Sequence, residues 1–193
     1  MTRQTADGAG PRHGAVAMRA LLIAALAALA IWCFVEAADR VEAERWSRAG
    51  DAAVRHVAED GLPVRASYAW YTAFADRALL LDPPAYTAAE AALERALARD
   101  SRDGEAWAKL AHIRLQQHGA ADGGAIAALQ QSYLRMPYAG WHFRRWRLAL
   151  ADSMWPDLPE PLQQAVLREA RIAPQIWLRG SLPRMHARLT TSC

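Results

Sequence analysis

The side chains best suited to bind a ligand are concentrated in a short stretch rich in arginine and tryptophan. Trp141, Arg144, Arg145 and Arg147 lie within about two helical turns of one another, and Trp177 follows near the C-terminus. Aromatic faces stack on sugar rings, and guanidinium groups hold carboxylates and phosphates. We therefore predict that these five residues contact an acidic partner segment, a lipid phosphate or an anionic polysaccharide.

The same stretch also has a simpler, structural interpretation. Phe143 and Trp146 are spaced for one face of a helix and would be core residues, while the neighbouring arginines would point into solvent. Trp177, close to a weakly structured C-terminal end, is the best candidate for an exposed contact. The sequence leaves both interpretations open.

Known motifs for catalysis, metal binding and nucleotide binding are missing from the sequence. It has no His-Glu-x-x-His or Cys-x-x-Cys pair, P-loop, dinucleotide glycine pattern or nucleophile elbow. His112 and His118 are six residues apart, so about 240° of rotation keeps them off a common helix face. Asp152, Asp157 and Glu160 lie on a proline-rich connector. We predict no catalytic residue, no metal site, no cofactor and no enzymatic activity.

Charge is distributed unevenly along the chain. The net charge is +3, but residues 36–134 contain 11 basic and 15 acidic groups, whereas residues 135–193 contain nine basic and four acidic ones. Such asymmetry can orient a protein on a partner or a surface. The basic residues are too scattered for a nucleic-acid interface, so we predict no nucleic-acid partner.

The N-terminal region predicts a membrane anchor. Residues 1–14 are small and polar and are expected to be a flexible tail, while residues 20–35 carry no charge. Extended back to residue 15, the segment 15–35 is long enough for a hydrocarbon core of roughly 30 Å. Trp32 and Phe34 lie where an aromatic belt belongs. We predict that residues 15–35 span a lipid bilayer.

The flanking charges predict the orientation of this anchor. Arg3, Arg12 and Arg19 precede the apolar segment, and mainly acidic residues follow it. The positive-inside rule then places the N-terminus in the cytoplasm and the body in the periplasm, as in a single-pass protein of a bacterial inner membrane. A signal peptide cleaved near Ala37 is the open alternative, because Val35 and Ala37 suit signal peptidase.

The rest of the chain predicts an all-α fold without β-sheet. Apolar residues recur at spacings of three and four, and short turns separate the helices, which favours antiparallel pairs. Val64 is expected to face the core, and Thr87 is expected to cap a helix together with Glu90. Predicted helices cover 36–58, 64–81, 87–99, 105–117, 125–135, 138–153 and 161–172. One helical domain over residues 36–175 would then precede a loosely held C-terminal tail, residues 176–193.

One segment matches a tetratricopeptide (TPR) unit, a 34-residue pair of antiparallel helices with large residues in helix A and small ones where the helices cross. The match covers residues 104–137, with a loop two residues longer than usual. The matching residues are Trp107, Leu110, Ala111, Ala125, Leu129, Ser132 and the closing Pro137. The sequence therefore predicts a TPR-like array, with an unrelated helical bundle as the alternative.

Partial matches flank this unit. Before it, Ala89, Leu93 and Ala96 occupy helix-B positions; after it, Phe143, Trp146 and Leu150 begin another helix A. Arg114 replaces the usual aromatic residue, and Arg147 stands where a small residue is usual.

As a whole, the chain resembles the VpsP-like family of short, membrane-anchored, TPR-like proteins of bacterial exopolysaccharide biosynthesis. The resemblance covers about residues 20–175. It depends on the anchor and helical hairpins, the segments 92–97 (Ala-Leu-Glu-Arg-Ala-Leu) and 106–111 (Ala-Trp-Ala-Lys-Leu-Ala), and Trp155 before a proline-bearing helix start. It implies an accessory role in polysaccharide assembly or export, and it implies no catalytic residues.

These observations together predict an adaptor or scaffold that binds a membrane protein partner in a cell-envelope assembly, with exopolysaccharide biosynthesis or export as the expected setting. A concave face between helix pairs would hold a peptide or helix of the partner. Two alternatives remain: a non-catalytic or regulatory subunit of a polysaccharide-processing enzyme, and a structural subunit of another envelope complex.

Overall fold

Helices form all the regular structure of the residues described. The structure, a computed structural model, describes the backbone of residues 12–191 and the side chains of residues 18–191, and this part contains no strand. A short 3-10 helix covers Trp155–Asp157. The α-helices are α1 (Arg12–Ser47), α2 (Asp51–Asp60), α3 (Tyr68–Leu79), α4 (Tyr86–Arg99), α5 (Gly104–His118), α6 (Gly123–Arg135), α7 (Trp141–Ser153), α8 (Glu160–Arg171), α9 (Gln175–Ser181) and α10 (Pro183–Thr191).

Helix α1 is long and apolar enough to cross a membrane. Its part from Met18 to Ser47 contains an 18-residue window with high hydropathy and none of its residues buried. Leu22 and Ile31 are exposed by 60% and 66%, so the apolar surface has no cover within the described protein, unlike the core helix of a soluble protein. Length and composition fit a retained anchor and a signal sequence equally well.

Two compact units divide the chain, Met1–Glu42 and Ala43–Cys193, so α1 extends beyond residue 35 before the body begins. Residues 1–11 of the predicted flexible tail lie outside the described part, and residues 12–14 are the first residues of α1. The single helix predicted over 36–58 is interrupted: α1 ends at Ser47 and α2 begins at Asp51. Gly50 in extended conformation (φ −69°, ψ 152°) precedes α2 and breaks the helical backbone.

The body is an array of helix pairs. Helix α3 packs against α4, α4 against α5, and α5 against α6, while α5 contacts α7 and α6 contacts α8. Links of four to six residues join α3 through α8, so consecutive helices reverse direction. The first helices of the second and third pairs, α5 and α7, are thus neighbours, as are their second helices, α6 and α8, which is consistent with the predicted antiparallel array.

A 36-residue period relates the pairs. Ala75 in α3, Ala111 in α5 and Arg147 in α7 follow one another at this interval, and all three are fully buried. Leu93 in α4 and Leu129 in α6 show the same interval and are also buried. The sequence analysis predicted a helix over 64–81 but assigned only α4 of the first pair to the repeat; the structure shows that α3 packs against α4 as its partner.

Local capping fixes several helix starts. The side chain of Ser67 accepts a hydrogen bond from the backbone N–H of Trp70 at 3.0 Å, and Asp103 and Asp122 cap α5 and α6 in the same way. The predicted cap at Thr87 is wrong, because α4 begins at Tyr86 and Thr87 already lies inside the helix. Side-chain caps thus define where α3, α5 and α6 begin.

Two expectations for the body need correction. Val64 is 83% exposed rather than inward-facing, because α3 begins four residues later, at Tyr68. The C-terminal part is not a loose tail: residues 175–191 form α9 and α10, and Leu178 and Met185 are fully buried. These helices add their apolar residues to the core of the body, so the predicted boundary at residue 175 does not separate a folded part from an unfolded one.

Candidate partner-contact surface

Three of the five predicted contact residues come together. Trp141, at the start of α7, meets Trp177 of α9 edge to face, with ring centroids 5.3 Å apart. The guanidinium carbon of Arg145, one turn along α7, lies 5.7 Å from the Trp141 ring and 5.4 Å from the Trp177 ring. We call these three residues the Trp–Arg cluster. It exists because α9 folds back onto α7.

The Trp–Arg cluster combines two recognition elements at the surface. Arg145 is exposed, while both tryptophans are half-buried, so their rings are fixed by packing yet still reach solvent. A guanidinium placed over aromatic faces loses little freedom when it binds an anion, and cation–π contacts contribute about 0.5–2 kcal/mol. The cluster can therefore hold a carboxylate or phosphate on Arg145 beside a rigid apolar platform.

Arg147 does not belong to this surface, contrary to the prediction. Its side chain is fully buried, so it cannot contact a polymer or a partner. Its Nε donates to Oε2 of Glu169 at 3.1 Å, its Nη2 donates to Oε1 of the same carboxylate, and its Nη1 donates to the carbonyl oxygens of Ser132 and Met136 at 3.2 and 2.8 Å. The residue joins α6, α7 and α8 from inside.

The repeat explains why an arginine is buried here. Helix-A positions Ala75 and Ala111 are small, and the third member of this series is Arg147. The corresponding helix-B positions are Ser132 in α6 and, 37 residues later, Glu169 in α8. In the earlier helix pairs, small residues at these positions let the helices approach closely. In the third helix pair, the buried ion pair of Arg147 and Glu169 stands in their place. The one-residue shift of α8 places its carboxylate opposite the guanidinium.

An aromatic ring completes the environment of this ion pair. The guanidinium carbon of Arg147 lies 4.1 Å from the ring centroid of Tyr133, a buried residue of α6. Burial raises the pKa of Tyr133 well above its ordinary value; the negative charge of Glu169 raises it further, while Arg147 acts in the opposite direction. The phenol therefore stays neutral at physiological pH.

Arg144 lies between the surface and the buried pair. It is 17% exposed; its Nη2 donates to the carbonyl of Ala139 at 2.8 Å, and its Nε is 3.9 Å from Oε1 of Glu169. The hydrogen bond to Ala139 and the approach to Glu169 hold its guanidinium against the protein. We therefore remove it, with Arg147, from the set of candidate contacts.

The two neighbouring aromatic residues, which the structural interpretation assigned to the core, are only half-buried, and of the two Trp146 packs against the core. Phe143 and Trp146 are half-buried with ring centroids 5.6 Å apart, and Trp146 meets His112 of α5 at 5.7 Å. Burial lowers the pKa of His112, which keeps this imidazole neutral beside the indole. These contacts fasten α7 to α5, so they support the surface without being part of it.

Two acidic residues of the C-terminal part are buried in ion pairs with arginines, so the excess of positive charge after residue 134 is unchanged but few carboxylates remain at the surface. Of the four acidic residues after residue 134, Glu169 pairs with Arg147, and the buried Asp152 pairs with Arg184 at 3.2 Å and with Arg188 at 2.5 Å. These two carboxylates present almost no charge to solvent. The sequence analysis missed both pairs, although Arg147, at a position usually occupied by a small residue, was a signal that a buried acid lies near it.

Two surface depressions lie elsewhere on the body. One, of about 460 Å³, is lined by α2, the link before α4 and the first turn of α4, and includes Arg55, Glu59 and Tyr86. The other, of about 330 Å³, lies between Val64 and Arg99. Within the described residues, no group of three or more histidine, cysteine and acidic side chains could hold a metal ion.

No family model matches the chain, and no curated protein or solved structure is significantly similar to it. Function must therefore be argued from the surface and the fold.

Proposed function

We propose that this protein is a membrane-anchored adaptor. Its body of helix pairs binds an acidic segment of a protein partner. The Trp–Arg cluster is the observation that supports this most directly. Two tryptophans and an arginine are the residue types that dominate the binding energy of protein interfaces, and here they meet at one place on the surface.

The charge of the surroundings favours an acidic partner. With Asp152 and Glu169 neutralised inside the protein, exposed arginines outnumber exposed acids after residue 134. Complementary charge accelerates association and disfavours basic competitors. Arg145, supported on two rings, is the residue on which a carboxylate of the partner would lie.

Helix α1 supplies the membrane part of the proposal. It confines the body to the plane of a bilayer and so raises its effective concentration near membrane partners. Basic residues before the apolar segment of α1 and mainly acidic residues after it support a cytoplasmic N-terminus and a periplasmic body in a bacterial cell. Together with the resemblance to VpsP-like proteins, this topology favours exopolysaccharide assembly or export as the setting. An anionic polysaccharide is the second ligand that this cluster would suit.

The test compares proteins retained by the full-length chain, purified in mild detergent, with those retained by three variants. Arg145→Gln and Trp141→Ala disrupt the cluster, and Arg135→Gln, which removes a charge from an exposed arginine of α6, is the matched control. A central tryptophan or arginine contributes about 2 kcal/mol or more, so a true partner should bind roughly 30-fold more weakly to the cluster variants. It should bind the control normally.

The same proteins recovered with all four chains would refute this role for the Trp–Arg cluster. A polysaccharide ligand is tested with the same variants and a purified anionic polymer. The topology is tested separately, with a reporter fused after residue 193 that is active only in the periplasm; a reporter active in the cytoplasm would contradict the orientation.

A further inference from the structure

A second surface lies next to Trp177 in the sequence, and it consists of isoleucines and arginines rather than tryptophans. Helix α8 ends at Arg171 and α9 begins at Gln175, with Pro174 between them. On this turn Ile172 is 52% exposed and Ile176 is 85% exposed. We call the exposed residues Arg168, Arg171, Ile172, Ile176 and Arg179 the α8–α9 corner. Single exposed apolar residues are ordinary, but these two flank one turn, and three exposed arginines lie within four sequence positions of them.

The arginines of the corner have no neutralising partner in the described protein. Arg168, Arg171 and Arg179 are exposed and form no ion pair with any residue from 18 to 191. From residue 161 to residue 191 the sequence contains one acidic residue, Glu169, which Arg147 neutralises in the core. The corner therefore presents positive charge and aliphatic surface without any carboxylate.

We propose that the α8–α9 corner lies on an anionic phospholipid surface. Guanidinium groups bind headgroup phosphates, and aliphatic side chains between them enter the boundary between headgroups and acyl chains. Ile176 provides the part that enters, and Arg168, Arg171 and Arg179 provide the electrostatic part. Long arginine side chains keep their charge at headgroup level while their methylene groups cover apolar surface.

Charge complementarity and the tether favour lipid over a protein at this corner. A protein interface has an aromatic, desolvated centre with few charges, which describes the Trp–Arg cluster and not the corner. The inference depends on the membrane anchoring in the proposed function, because a tether of the same chain makes weak lipid affinity sufficient. In this arrangement the neighbouring cluster would meet its partner close to the membrane surface.

The experiment uses the full-length chain in nanodiscs, with Cys33→Ser and Cys193→Ser and a nitroxide attached at Ile176→Cys. The accessibility of the label to oxygen, which concentrates in lipid, and to a water-soluble nickel chelate reports its surroundings. Nanodiscs of phosphatidylcholine with phosphatidylglycerol are compared with phosphatidylcholine alone. A label at Gln130→Cys, an exposed position of α6, is the control site.

In anionic nanodiscs, we expect the label at 176 to gain oxygen contact and lose nickel contact, while the label at 130 stays in water. Each arginine near an anionic surface changes affinity about fivefold, so the triple variant R168Q/R171Q/R179Q should weaken the contact roughly 100-fold and return the label to water. The variant R65Q/R102Q/R135Q removes the same charge from exposed arginines elsewhere and should leave the contact intact.

Three outcomes would overturn the inference. A label at 176 that stays in water on anionic nanodiscs refutes it, and equal effects of both triple variants refute the specific role of the corner. Shielding that requires an added protein would make the corner a protein interface. A chain that never enters nanodiscs refutes the anchor itself, which is a different result from an inserted chain with its corner in water.

Discussion

The buried pair Arg147–Glu169 allows one prediction to be worked out in detail. Arg147→Met removes a guanidinium that makes two hydrogen bonds to Glu169, two to Ser132 of α6 and one to Met136 just after α6. Its aliphatic replacement still fills part of the space. The carboxylate of Glu169, 1% exposed, then keeps Arg144 as the nearby cation, with 3.9 Å between Nε and Oε1. This variant leaves a charge in the core without its partner.

The expected loss of stability is large. Removing one partner of a buried ion pair costs about 3–5 kcal/mol, because the remaining charge keeps its desolvation penalty and loses its compensation. For a chain of this size, 1 kcal/mol corresponds to about 2–4 °C in melting temperature, so the variant should melt roughly 6–20 °C lower. Replacing both residues, as in Arg147→Met with Glu169→Leu, removes both charges and should recover most of this loss.

The assay is urea unfolding of the full-length chain in mild detergent, followed by the helical circular dichroism signal. Arg145→Met is the matched control, because it makes the same substitution two residues away at an exposed position and should cost under about 1 kcal/mol. An Arg147→Met variant as stable as this control would refute the reasoning. So would a double variant whose loss equals the sum of the two single losses, since that means no coupling between the residues.

Three further predictions use the same unfolding assay. Gly104→Ala should cost about 1–3 kcal/mol, because a Cβ there would lie 2.6 Å from Cβ of Met136; a neutral result would show that α6 can move away. Arg114→Met should cost about 1–2 kcal/mol, because its side chain pairs with two glutamates of α4 at 2.8 Å; no loss would mean that solvent screens both pairs. Burial holds the pKa of the Tyr133 phenol above its ordinary value near 10, so the unfolded chain loses this proton at lower pH than the folded protein does. The free energy of unfolding should therefore fall as pH rises past about 10, by at most ~1.4 kcal/mol per pH unit. Tyr133→Phe should remove that part of the decline, whereas Tyr138→Phe, at a side chain 83% exposed, should leave it unchanged.

Helices were the part of this fold most accessible from sequence. Spacings of three and four, with turn residues between them, predicted α5 and α6 to within two residues, because their apolar faces and caps agree locally. Gly119, with φ +66°, ends α5 in the left-handed conformation that glycine adopts without strain. Local signals failed where several starts were equally acceptable, as at Thr87, and where tertiary contacts order weak helices, as in α9 and α10.

For the candidate surface too, the sequence predicted the residues, whereas only the tertiary structure shows how they meet. Residue types alone identified Trp141, Arg145 and Trp177, because aromatic and guanidinium groups have few equivalents in binding. Their meeting depends on α9 folding back onto α7, a contact between residues more than 30 positions apart that no local pattern encodes. Arg147 lies in the same short stretch and has the same side-chain chemistry, but it is fully buried.

What the sequence by itself determined is the class of the molecule: an apolar N-terminal helix long enough to cross a bilayer, and a body of short amphipathic helices with one well-formed repeat. These follow from hydrophobic periodicity and length, which act within a single helix. Tertiary structure alone decided which arginines face solvent. An arginine can be buried only where a carboxylate on another helix compensates the desolvation of its guanidinium. Glu169 of α8, which lies one residue beyond the 36-residue period, pairs with Arg147 in this way. Arg145 has no such partner in the described part of the chain and stays exposed.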